Sequence, residues 1–164
     1  MQGKTHAASA AFVSSGLVYL TRPEDMATAA GFIGVATVAA YLPDLDHPNS
    51  TASRKLGVFR KLPSMFLRHR GLTHSFLGVA GLTVLLAFVP GLPLWVAAGV
   101  LLGCLVHILG DMLTVSGCPI LWPSKTTYRL ARFTTGKWPE RLILFPLFTA
   151  GAAWFAGSTI GALS

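Results

Sequence analysis

The 164-residue chain carries 13 Lys and Arg against 6 Asp and Glu, with 52% hydrophobic residues, only 12% charged ones and a mean hydropathy of +0.60. Soluble domains average about 25% charged residues, so this composition excludes an ordinary soluble enzyme and any disordered or fibrous chain. It indicates an all-α, polytopic membrane helix bundle, and the length suits one integral membrane domain, residues 1–164, of about five spans.

The first expected span runs from Thr5 to Leu20 behind Lys4 and carries His6 near its start. Its small residues, Ala7 to Ala11, open the apolar stretch instead of following it, so it is read as a retained span and not a cleavable signal. A tight turn, Thr21 to Asp25, leads to the second span, Met26 to Leu42, which ends at Pro43-Asp44-Leu45-Asp46-His47. Carboxylates beside an imidazole suit zinc, manganese or iron better than magnesium. A solvated turn with Asp as a helix cap is the plainer alternative.

Residues 43–73 form the first long loop, in which Val58, Phe59, Leu62, Met65, Phe66 and Leu67 interleave with Arg60, Lys61 and Arg68. Aromatics at headgroup level and cations toward phosphates read as an interfacial segment. Its end, Arg68-His69-Arg70-Gly71-Leu72-Thr73-His74-Ser75, offers His74 as a ligand, His69 as an acid or base and Arg70 as a phosphate or carboxylate clamp. The third span, His74 to Val89, turns at Pro90 to Pro93 into the fourth, Leu94 to Val115. There His107 and Asp111, four apart, share one helix face and can grip an ion, or make a packing hydrogen bond. Cys104 and Cys118 fit neither a disulfide framework nor a zinc spacing. The second loop, residues 116–141, mixes Leu121, Trp122, Tyr128, Leu130, Phe133 and Trp138 with basic residues, and the fifth span is Leu142 to Leu163. Gly31, Gly34, Gly99 and Gly103 permit close helix packing, within the chain or between copies.

Five spans put twelve of the thirteen basic residues on one side and leave only Arg22 on the other. Positive charge near span ends stays cytoplasmic, so the amino terminus and both loops are expected there and the carboxyl terminus outside. The same distribution gives the basic residues anionic lipid headgroups, not nucleic acid, as partners. It also gathers His6, Asp44, Asp46, His47, His69, His74, His107 and Asp111 at the cytoplasmic face. Ionisable groups in or beside spans are costly unless paired, metal-bound or part of a pathway.

At these residues the chain resembles the YdjM-like family of inner-membrane proteins, regarded as metal-dependent hydrolases. The resemblance rests on His6, Pro43 to His47, Arg70 to Ser75 and His107 to Asp111, followed by Gly117 and Pro123, and covers about residues 3 to 123. It implies a bacterial-type multi-pass protein of the inner (plasma) membrane with a metal centre and hydrolytic activity, loosely comparable with zinc phospholipases.

The residues support a membrane hydrolase with one or two divalent ions, zinc before manganese or iron, at the cytoplasmic leaflet. Expected ligands are His6, Asp44, His47, His74, His107 and Asp111. His69, Arg70 and Asp46 are the expected catalytic residues, although Asp46 also suits a further ligand or the carboxylate that orients a ligand histidine. A site in the membrane favours a lipid or lipid-linked phosphate or ester. The rival is a transporter or sensor that binds metal or protons without bond cleavage. It requires a polar path to the outer face, where the spans offer little beyond Ser14, Ser15, Thr28, Thr149 and Ser158.

Overall fold

The computed structural model describes residues 1–23, 25–47, 50, 53–54 and 71–163. Five helices form over the five apolar segments: α1 (Gly3–Thr21), α2 (Met26–Ala39), α3 (Phe76–Ala87), α4 (Leu94–Met112) and α5 (Phe145–Leu163). A 3₁₀ turn, Pro43–Asp46, follows α2, and another, Leu72–His74, precedes α3. One wide helical turn, Glu140–Leu144, leads into α5. There is no strand among the described residues.

Three of these segments are long and apolar enough to cross a membrane: Met26–Asp46, Leu94–Met112 and Glu140–Gly161. With 12 residues, α3 rises about 18 Å and is shorter than a hydrocarbon core. The length of α1 suffices, but Thr5, His6, Ser9, Ser14 and Ser15 dilute its apolarity, and all five are buried in the bundle.

Local chemistry sets the helix starts. The Asp25 carboxylate accepts from the backbone N–H groups of Ala27 and Thr28, each at 3.0 Å, and caps α2. The Thr28 hydroxyl, then these two N–H groups, hold the Asp25 carboxyl below the usual carboxylate range, so the cap is ionised at neutral pH. Ser75 caps α3 by accepting from the Gly78 N–H at 3.0 Å, which places His74 just outside the helix. Within the helices Ser14, Thr37, Thr83, Thr149 and Thr159 donate to carbonyls four residues earlier, leaving no need for water in an apolar slab.

The helix α1 packs on α2, α4 and α5, while α4 also holds α2 and α3. Close approach depends on small residues. Gly16 and Gly151 receive the rings of Phe155 and Phe12 across the α1–α5 contact. Gly99 and Gly103 admit Val35, Ala36 and Ala39 of α2, and Gly31 admits the Trp95 ring, so these three expected packing glycines act within the chain. Gly34 has nothing within 4 Å of where a Cβ would lie.

Residues 114–133 fold back under the end of α4. The carbonyls of Met112 and Leu113 accept from Leu130 and Phe133 at 2.8 and 3.0 Å, satisfying groups that a helix end leaves without partners. Leu121, Trp122, Leu130, Phe133 and Trp138 keep exposed side chains. Most of the first loop, including Val58, Phe59, Arg60 and Leu62, lies outside the described residues.

Candidate metal centre

The chain order brings the start of α1, the turn after α2, the turn before α3 and the last third of α4 to one end of the bundle. His6, His74 and His107 are fully buried there, and Asp111 is 4% exposed.

Four side-chain atoms from three segments form a ring. His107 Nε2 lies 3.7 Å from Asp44 Oδ1 and 3.8 Å from Asp111 Oδ2. His74 Nε2 lies 3.9 Å from the same Asp44 oxygen and 3.8 Å from the same Asp111 oxygen. Nitrogen and oxygen thus alternate at distances too long for hydrogen bonds. Asp44, His74 and His107 each offer an atom within 4.8 Å of the other two, a spacing that nitrogen and oxygen ligands of one small divalent ion can span.

The ring orientations have identifiable causes. Nδ1 of His107 is 2.6 Å from the Ala40 carbonyl oxygen. A carbonyl can only accept, so Nδ1 carries the proton and Nε2 turns its lone pair toward the carboxylates. That buried Nε2 makes no hydrogen bond, an arrangement costly for a nitrogen facing two carboxylates unless a cation completes it. On His74, Nδ1 lies 3.4 Å from Asp46 Oδ2 and 3.1 Å from the Thr73 hydroxyl. Thr73 in turn donates to Asp46 Oδ2 at 2.6 Å. Asp46 therefore stands behind His74 and directs the other ring nitrogen inward, as carboxylates behind metal-ligating histidines do.

A second set of donors adjoins the first. The His6 ring stacks on His107 with centroids 3.8 Å apart and planes 16° from parallel. His6 Nε2 is 3.1 Å from Asp111 Oδ1, an oxygen that also lies 2.7 Å from the Met1 ammonium. Two groups of donors, His6-His107-Asp111 and Asp44-His74-His107, can hold a metal ion, each with its ligand atoms within 4.8 Å of one another. His107 belongs to both, and Asp111 reaches both through its two oxygens.

Of the six expected ligands, His6, Asp44, His74, His107 and Asp111 converge. His47 belongs to neither group. It leaves the Pro43–Asp46 turn with extended backbone, φ −105° and ψ 112°, so helical spacing from Asp44 does not govern its direction. Asp46 also lies outside both groups, in the supporting position beside His74. His69 and Arg70 fall within residues 55–70, outside the described residues.

Two contributors carry no sequence signal of the kind used above. One is the Ala40 carbonyl, because a backbone acceptor 67 residues away has no residue-type signature. The other is Glu140, 2% exposed, which lies apart from every histidine in sequence. Its carboxylate accepts from the Gln2 N–H at 2.5 Å and the Gly136 N–H at 2.6 Å, tying the first turn of α1 to the approach to α5. Glu140 is thus a brace for the helix that carries His6.

The sequence model of a family described as YdjM inner membrane protein matches residues 1–163. The chain is similar to inner membrane protein YdjM of Escherichia coli (strain K12) and of Shigella flexneri, 40% identical to each over 119 residues. That match covers 69% of this chain and 61% of each relative, so it spans less than two thirds of their length. It is also similar to the uncharacterized protein YvsG of Bacillus subtilis (strain 168), 31% identical over 159 residues and 94% of both chains. No solved structure matches.

Proposed function

We propose, for a chain that belongs to the YdjM inner membrane protein family, the function of a metal-dependent hydrolase that cleaves a phosphate or carboxylic ester of a lipid or lipid-linked substrate. One observation carries the reading: His74, His107, Asp44 and Asp111 alternate nitrogen and oxygen at 3.7–3.9 Å at a buried end of a membrane bundle. Mixed imidazole and carboxylate donors favour zinc, with manganese or iron next.

A bound divalent ion supplies polarisation of the scissile oxygen and brings the pKa of water down toward about 7. The chain supplies the rest. Ala40 and the Asp46-Thr73 pair fix the His107 and His74 rings, so their donors are set before a substrate arrives. Burial of His6, His74 and His107 keeps bulk water from the donors. Arg70, one residue before Gly71, is assigned to hold the substrate oxygens, and His69 to move the proton to the leaving group.

The transporter or sensor reading gains less support. The Ser14, Ser15 and Thr149 hydroxyls donate to carbonyls of their own helices, and the Thr28 hydroxyl bonds Asp25. These groups are committed locally and do not line a continuous polar path.

The test is a screen of the metal-loaded protein in vesicles against lipid phosphates and lipid esters. Turnover that chelation abolishes, zinc or manganese restores and Asp111→Ala lacks is expected. A metal-loaded protein that cleaves none of them but carries the ion across the vesicle membrane would put the transporter reading first.

A further inference from the structure

Beside the metal centre lies a cavity of about 220 Å³ between the end of α2, α3 and α4, with Leu42, Pro43, Leu72, Thr73, Val79 and Leu82 among its walls. One end touches the site, since Pro43 and Thr73 immediately precede Asp44 and His74 and Thr73 bonds Asp46. The other end reaches Leu82, six residues into α3 or about 9 Å along its axis, and Cys104, nearly one turn from His107 on α4.

The walls reject a polar occupant. The Thr73 hydroxyl is taken by Asp46, and the Cys104 thiol faces the Ala39 carbonyl at 3.6 Å. A polar group placed there would go without hydrogen bonds. At the rim Leu72 and Leu82 are 39% and 36% exposed, so the cavity opens on the outer surface of the bundle, where an inner-membrane protein meets hydrocarbon. Its volume is below the roughly 300–1,000 Å³ of sites for whole small molecules and suits part of one chain.

We infer that this cavity is an acyl-chain subsite: it takes one hydrocarbon chain of a membrane lipid and thereby sets that lipid's phosphate or ester beside the metal centre. The identity of the group at the metal rests on the hydrolase reading, whereas seating of the chain does not require turnover. A chain already in the bilayer gains little by exchanging lipid for protein contacts. The subsite therefore acts through position and chain shape, not through net hydrophobic transfer.

The full chain would be reconstituted in phosphatidylethanolamine and phosphatidylglycerol vesicles containing a phospholipid with a diazirine in one acyl chain. Cross-links after illumination would be mapped by peptide mass spectrometry. Cross-links should concentrate at Leu72, Thr73, Val79 and Leu82, and fall at least fivefold in Leu82→Trp, which fills the cavity from its exposed rim while metal content is unchanged. Leu72→Trp fills it from the other side and should give the same loss if Leu82→Trp does not fold. Cross-links spread evenly over exposed residues such as Leu85, Leu147 and Trp154, and unmoved by either variant, would overturn the subsite. Absence of metal in wild-type protein with the concentrated pattern intact would sink the hydrolase reading alone, so the two can fail separately.

Discussion

The Nδ1 of His107 donates to the carbonyl of Ala40 across 2.6 Å, joining α4 to the C-cap of α2 and turning Nε2 toward Asp44 and Asp111. The carbonyls in the last turn of a helix have no helical donor of their own, so this bond satisfies a backbone group and orients a ligand together.

That bond requires α2 and α4 to be close, and Gly103 against Ala36 and Ala39 is what allows it. Gly103→Val should destabilise the bundle by about 1–3 kcal/mol and weaken metal binding by an order of magnitude or more. Thermal unfolding in detergent and metal titration check the two effects. Gly34→Ala, with open space around it, should change neither.

Asp46 supports His74 without belonging to either group of converging donors. Asp46→Asn should weaken metal affinity by about 10–100-fold while leaving the number of ions bound at saturation unchanged. A titration in which Asp46→Asn removes the ion at every concentration would make Asp46 a direct ligand.

Glu140 holds two backbone N–H groups from segments far apart in sequence. Glu140→Ala leaves both without their acceptor, at a cost of about 1–3 kcal/mol, and should loosen the first turn of α1 and with it His6. Faster proteolysis near residues 1–6 and a lower unfolding temperature are expected. Glu140→Gln, which keeps one acceptor oxygen, should fall between the two.

The order of helices and the gathering of His6, Asp44, His74, His107 and Asp111 were legible because apolar runs mark helices and short connections force neighbours to alternate in direction. The four-residue spacing of His107 and Asp111 translated directly into one face of α4. His47 lies outside both groups of donors, where the chain leaves the 3₁₀ turn and spacing along a helix no longer sets a side chain's direction. The Ala40 carbonyl and Glu140 were illegible for a different reason: their partners come from packing between segments 67 and 138 residues apart.

The basic residues predict the sidedness. Lys125→Cys should react with a membrane-impermeant maleimide only after lysis, and Pro90→Cys in intact spheroplasts. The native thiols Cys104 and Cys118 are buried and should give little background. The reverse pattern would place the metal centre at the outer face.

The most direct measurement is the metal content of protein purified without chelator, for wild type and Asp111→Ala side by side. Asp111 offers one oxygen to His6 and the other to His74 and His107, so its loss removes a member of the His6-His107-Asp111 group and the carboxylate beside the Asp44-His74-His107 group. At least one transition-metal ion per chain in the wild type and none in folded Asp111→Ala is the predicted result. A folded wild type that takes up no such ion even when it is supplied, or an Asp111→Ala protein that keeps its full complement, would contradict the metal centre.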